Sequence, residues 1–195
     1  MSIYKCRTKK VYDVGTIGVG KYNSRNGINK TKEYNAWTAM LQRCYDIKLH
    51  IRHPSYINCT VYNDWLNFQN FAKWYEENYI ENYQLDKDLL IEGNKIYSPQ
   101  TCCFVPCEIN LSIIKPIKKR IYPLGVYKHY NKFVVHIKED KISNYKGIFS
   151  TIMEASICYK KEKEKQLVCL AEKYKNVISN ATYNALLNYK VNIND

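Results

Sequence analysis

The chain has 195 residues, with 30 Lys or Arg against 18 Asp or Glu, a formal net charge of +12 and a pI near 9.2. Hydrophobic residues at 46% and charged residues at 25% exclude a disordered tail. No run reaches the roughly 18 apolar residues of a membrane-spanning helix, and the first ten residues lack the apolar stretch of a secretory signal. The eight cysteines (Cys6, Cys44, Cys59, Cys102, Cys103, Cys107, Cys158 and Cys169) form no paired ligand spacing. They are expected to be reduced thiols in a cytoplasmic protein.

Charge is unevenly placed along the chain. Residues 1–32 carry a net +7, residues 33–114 a net −4 and residues 115–175 a net +9, and residues 176–195 are neutral. Basic segments around an acidic centre suit a partner rich in phosphate, because each contact releases counterions. An acidic centre accepts phosphate only with a cation beside it. The composition implies neither a membrane nor a protein partner.

Residues 1–32 read as a basic loop or arm. Gly15, Gly18 and Gly20 do not have the spacing of a phosphate-binding fingerprint. Over 33–46, Trp37, Met40, Leu41, Cys44 and Tyr45 recur at helical spacing. Over 63–80, Trp65, Phe68, Phe71, Ala72 and Tyr75 do the same, with Asn63 or Asp64 as the cap. Both stripes are expected to be core rather than base-stacking platforms. Residues 50–62 read as a loop, in which His50 and His53 have no acidic or Cys partner at ligand spacing.

Residues 84–114 predict strand, turn, strand and helix. Leu85 to Ile91 is the first strand, Glu92 to Lys95 the turn and Thr101 to Val105 the second strand. Pro106 then falls at the first turn of a helix carrying Glu108, Ile109 and Asn110. Such a unit can converge oxygen donors on one ion: Asp86 and Asp88 from the strand, Asn94 from the turn and Asn110 from the helix. Mg²⁺ takes one or two carboxylates alongside water and phosphate oxygens, so one Asp, one Asn and a scissile phosphate suffice. The plain alternative is a structural hairpin in which Asp88 is a cap.

Residues 33–114 resemble the HNH (His-Me finger, ββα-metal) endonucleases common in bacteriophages and among homing endonucleases. The resemblance rests on Trp37, Arg43-Cys44-Tyr45, Asp64-Trp65 with Phe68 and Phe71, Leu85-Asp86-Lys87, Gly93-Asn94, Tyr97-Ser98-Pro99, Cys103-Phe104 and Asn110. It implies a catalytic set of Asp86, Lys87, Asn94 and Asn110. Asp86 and Asn110 would hold Mg²⁺ or Mn²⁺, and Asn94 would be the orienting residue. Lys87 stands where the family carries a water-activating His. An ordinary Lys, with a pKa near ~10.4, is a poor base. Lys87 is therefore read as gripping the phosphate or stabilising developing charge. Proton removal is left to bulk water, a metal-bound hydroxide or Asp88.

Residues 124–138 alternate, with Val126, Phe133, Val135 and Ile137 on one side and Asn131 between two strands; residues 143–149 predict a third strand. Thr151 and Glu154 form a capping box that opens a long helix to about Lys175. The run Lys160 to Lys165 reads as its solvated face. A sheet backed by one helix leaves the other face open, carrying Tyr127, His129, His136, Lys138 and Tyr145. Rings and cations there can reach phosphates and base edges. Residues 121–175 resemble the AP2 DNA-binding domain on Gly125-Val126, Lys132-Phe133, Ile137, Tyr145, Gly147, Phe149-Ser150-Thr151 and Glu154-Ala155. The face lacks the Arg residues that such sheets often use to read guanine.

The expected fold class is α+β: a ββα-metal finger embedded in helices, then a three-stranded antiparallel sheet packed on one helix. The expected order is a basic arm (1–32), an HNH-like domain (33–114), a basic linker (115–120), an AP2-like domain (121–175) and a tail (176–195) with a short helix over Ser179 to Tyr189. Together the resemblances imply a metal-dependent endonuclease acting on double-stranded DNA, of phage HNH or homing type. The alternative is a non-catalytic DNA-binding protein or regulator with a degenerate HNH unit. RNA binding through the Tyr-rich surface is a third option.

Overall fold

In the computed structural model, residues 10–113, 120–139 and 142–193 are described. The expected linker, 115–120, lies outside them except for Arg120. The fold is α+β and divides into two compact units, Met1–Phe104 and Val105–Asp195.

The first unit opens with a hairpin of β1 (Arg25–Asn26) and β2 (Asn29–Lys30). The helix α1 (Lys32–Tyr45) follows, capped by the Thr31 side chain. Asp46 then ends one helix and begins the next. Its backbone N–H donates to Gln42 O at 3.0 Å, while its carboxylate accepts from Lys48 and Leu49 N–H and starts α2 (Ile47–Arg52). This helix replaces part of the expected loop, and His50 closes it onto Arg43 O at 2.8 Å. Next come β3 (Thr60–Val61), a 3-10 turn at Asn63–Leu66 and α3 (Phe68–Asn78). Asn67, not Asn63 or Asp64, caps α3.

The two aromatic stripes meet as expected. Trp37, Met40, Leu41 and Cys44 on α1, and Phe68, Phe71, Ala72 and Tyr75 on α3, are buried in one cluster with Trp65. Each large side chain removed from water contributes about 1.5–3 kcal/mol. The Trp37 indole N–H is satisfied by Trp65 O at 2.7 Å.

Residues 10–22 are not a free arm. Val11, Tyr12, Val14 and Tyr22 pack against this core. Gly15 is required because a Cβ there would meet the Leu41 and Trp37 side chains.

The candidate site is built on three further strands. β4 (Tyr83–Asp86) pairs with β6 (Cys103–Pro106), and β5 (Ile96–Tyr97) runs parallel to β3. The expected order of strand, loop, strand and helix is present, with two corrections. The first strand stops at Asp86, because the Asp86 carboxylate turns the chain by accepting the next backbone donors. Pro106 closes β6 instead of opening the helix, which is α4 (Cys107–Ile113).

The second unit contains α4, then β7 (Val126–His129), β8 (Lys132–Glu139) and β9 (Ile142–Phe149), an antiparallel sheet in the order β7-β8-β9. It packs on α5 (Ile152–Tyr174), with the capping box formed as expected, and α5 packs on α6 (Asn180–Leu187). Val126, Val135, Ile137, Ala155 and Tyr159 form the core between sheet and helix. Gly125 has φ +74°, and a Cβ there would overlap the Tyr159 ring. The charged run on α5 is not wholly solvated. Lys163 is 9% exposed and donates to Gln166 Oε1 at 2.7 Å. Among the described residues no helix is long and apolar enough to cross a membrane.

Candidate functional site

The loop that leaves β4 carries three of the four expected catalytic residues. Asp86 Oδ1 accepts the N–H of Asp88 at 2.9 Å and of Leu89 at 2.7 Å. Burial raises the Asp86 carboxyl above its ordinary value, opposed by those two hydrogen bonds. A partly buried carboxylate raised in this way is stabilised by a cation.

Lys87 is 5% exposed and turned inward. Its Nζ donates to Asp88 Oδ1 at 2.5 Å and to Asn94 O at 2.8 Å. Asn94 answers across the same gap, its Nδ2 donating to Lys87 O at 2.8 Å and to Ile96 O at 2.7 Å, while its Oδ1 accepts from Ile96 N–H. Asn94 is thus an orienting residue in the geometric sense: it fixes the backbone of position 87 from the far side of the loop. Asp88 presents the other carboxylate, with its side chain 53% exposed.

Two residues behind this loop have no role assigned from sequence. Tyr97 is buried, and its ring centroid lies 5.8 Å from Lys87 Nζ. Burial raises its phenol, opposed by Arg43, with which it is hydrogen-bonded. Arg43 stands in the Arg43-Cys44-Tyr45 triplet and Tyr97 in Tyr97-Ser98-Pro99. The signal was visible, but only the fold makes the two residues neighbours.

Asn110, the fourth residue, lies on α4 and is partly buried. It belongs to the second unit and is described with it. Among the described residues no group of three or more His, Cys, Asp or Glu side chains is placed to hold a metal. The donor set that fits a cation on chemical grounds is smaller. The Asp86 carboxylate has Oδ1 held by backbone, and Oδ2 has no hydrogen bond among the described residues. Mg²⁺ or Mn²⁺ with mostly water and phosphate ligands needs no more than one such carboxylate and a neutral oxygen.

The second unit presents the expected sheet face. Tyr127 pairs with Val134 and His136 with Tyr145. The His136 ring lies between the two tyrosines, with centroids 5.8 Å from Tyr127 and 5.7 Å from Tyr145. Tyr127 is 46% exposed and Tyr145 57%; His129 and Lys138 are also exposed. A β-bulge sets this pattern. Val135 pairs with Gly147 and His136 with Tyr145, so Lys146 is the extra residue. In a regular strand of the same length, Tyr145 and Ile148 would point to opposite sides of the sheet; the bulge puts them on the same side. The guanidinium of Arg120 lies 5.8 Å from the Tyr127 ring centroid. The sequence places Arg120 in the linker, but this contact brings an arginine to the edge of the face.

Comparison of the chain with protein-family models, with curated proteins and with solved structures finds no match.

Proposed function

We propose that the protein is a metal-dependent endonuclease of double-stranded DNA, of the phage HNH or homing type. The observation that carries this is the Asp86–Lys87–Asp88 turn locked by Asn94. It presents a partly buried carboxylate beside an exposed one, at the end of a strand that leads through a loop to a second strand and a helix.

Asp86 holds Mg²⁺ or Mn²⁺, with water and phosphate oxygens completing its shell. The ion supplies Lewis-acid stabilisation of charge on the phosphate. The remaining roles belong to side chains. Lys87, with both of its hydrogen bonds directed inward, is a positioning residue that holds Asp88. Asp88 takes the proton of the attacking water. Tyr127, His129, His136, Lys138 and Tyr145 face the DNA, where rings abut sugars and base edges and cations meet phosphate.

The test is incubation of the purified protein with its own flanking duplex DNA and Mg²⁺ or Mn²⁺, beside Asp86→Ala. Cleavage by the natural protein and not by the variant supports the proposal. Absence of cleavage, or equal cleavage by both, rejects it.

A second reading is favoured by the inward turn of Lys87. Under it the loop is a structural remnant, and the protein is a DNA-binding protein or regulator without chemistry. It would shift duplex DNA without metal, with strong salt dependence, and would never nick it.

A further inference from the structure

Val19 is fully solvent-exposed, at 104% of its reference area, on a loop built to be rigid. Gly18 has φ +69°, and a Cβ there would collide with the Asn67 side-chain amide; a Cβ on Gly20 would collide with that of Gln69. Gln69 clips both sides of the loop. Its Nε2 donates to Ile17 O at 3.2 Å and to Tyr22 O at 2.9 Å, and its Oε1 accepts from Tyr22 N–H at 3.0 Å. Thr16 is bound on both sides, its N–H to Leu66 O and its carbonyl to Phe68 N–H, each at 2.8 Å. Lys21 and the Tyr22 hydroxyl both meet Glu76. Two close-fitting glycines and a three-bond amide clip therefore hold a fully exposed aliphatic side chain.

The surroundings select the partner. Residues 10–32 carry five cations (Lys10, Lys21, Arg25, Lys30 and Lys32) and one carboxylate, Asp13; Lys21 and Lys32 are paired with Glu76 and Glu81, so the stretch and its two partners together keep a net positive charge. One valine is far too small for a stable protein interface, which needs roughly 800 Å² per partner. It is of the size that wedges between stacked bases when flanking cations hold the phosphates.

We propose that Val19 is a preformed wedge that inserts between adjacent base pairs of duplex DNA, with cations of the stretch 10–32 on the phosphates. This rests on the DNA-binding reading above. It adds a distortion of the duplex that neither the sheet face nor the Asp86 loop supplies. Rigidity is central to it, because a loop already held in its bound shape loses no freedom on insertion.

The experiment uses the full-length chain and Val19→Ala with a set of duplexes carrying 2-aminopurine at successive positions. Binding is read by anisotropy at fixed salt, and unstacking by 2-aminopurine fluorescence. The natural protein should raise the fluorescence at one position. Val19→Ala, with an unchanged melting temperature, should bind about tenfold more weakly, the effect of removing two buried carbons, and should raise it little. Equal binding and equal unstacking by the two proteins would overturn the wedge and leave DNA binding standing. No DNA binding by either would overturn both. Self-association lost in Val19→Ala, measured by sedimentation without DNA, would instead assign the tip to a second copy and overturn the wedge.

Discussion

Lys87 and Asn94 hold each other twice across one loop: the lysine ammonium donates to the asparagine carbonyl, and the asparagine amide donates to the lysine carbonyl, both at 2.8 Å. The lock explains how a loop of nine residues, 87–95, keeps a fixed shape between β4 and β5 with Leu89 as its buried apolar side chain.

Removing the lock should destabilise the first unit. Asn94→Ala deletes three hydrogen bonds and leaves Lys87 O and Ile96 N–H to find new partners, while Ile96 O keeps the Thr101 hydroxyl. Each unsatisfied buried group costs about 1–3 kcal/mol. Urea unfolding should show a lower midpoint with an unchanged slope. Asn94→Asp, which keeps the Oδ1 acceptor but not the donors, should fall between the two.

Asp88 and Lys87 should separate by kinetics. If Asp88 takes the proton, Asp88→Asn should abolish cleavage while leaving DNA affinity intact. Lys87→Met removes the ammonium that holds Asp88 but not the carboxylate. It should lower the cleavage rate by less than Asp88→Asn does and change its pH profile. Equal rates for Asp88→Asn and the natural protein would assign the proton to water or metal-bound hydroxide.

The sheet face can be tested without unfolding risk, since its side chains are exposed. Tyr127→Ala and Tyr145→Ala should each weaken duplex binding while leaving the salt dependence unchanged. Lys138→Ala should act differently, lowering the slope of log affinity against log salt by about one contact. Fluorescence anisotropy across a salt series distinguishes the two.

Lys163 predicts a pH effect on stability. Burial pulls its ammonium down to about 8, opposed by Glu139. The unfolded value is ~10.4. A base depressed on folding loses its proton first in the native state. Stability should therefore rise as pH climbs from about 8 through ~10.4, and level off above it, where neither state is charged. Below about 8 the full burial penalty applies, on the order of 1–3 kcal/mol. Lys163→Met should be more stable than the natural protein at neutral pH and should lack this rise. Chemical denaturation of both proteins over that window measures it, and the difference between them removes the tyrosine contribution.

Much of this was legible in the sequence where the signal is local and periodic. The stripes of α1 and α3, the Thr151–Glu154 capping box and the alternation of β7 and β8 each follow from spacing alone. What escaped was non-local. Gly15, Gly18 and Gly20 look like a flexible basic loop until Trp37, Leu41, Asn67 and Gln69 are seen packed against them. Lys163 looks solvated within its charged run, yet it lies on the side of α5 that faces the sheet. The strand expected to reach Ile91 ends at Asp86, because one carboxylate competes with the ladder for the next N–H groups. That competition cannot be read from hydrophobicity.

The claim on which the nuclease proposal rests is that Asp86 holds a divalent ion. Calorimetric titration of Mn²⁺ into the protein bound to a non-cleavable phosphorothioate duplex tests it directly, with Asp86→Ala as the comparison. The account predicts about one ion bound per chain in the natural complex and at least tenfold weaker binding in Asp86→Ala, with DNA affinity in metal-free buffer the same for both. Equal Mn²⁺ binding by the two complexes, or none by either, would contradict it.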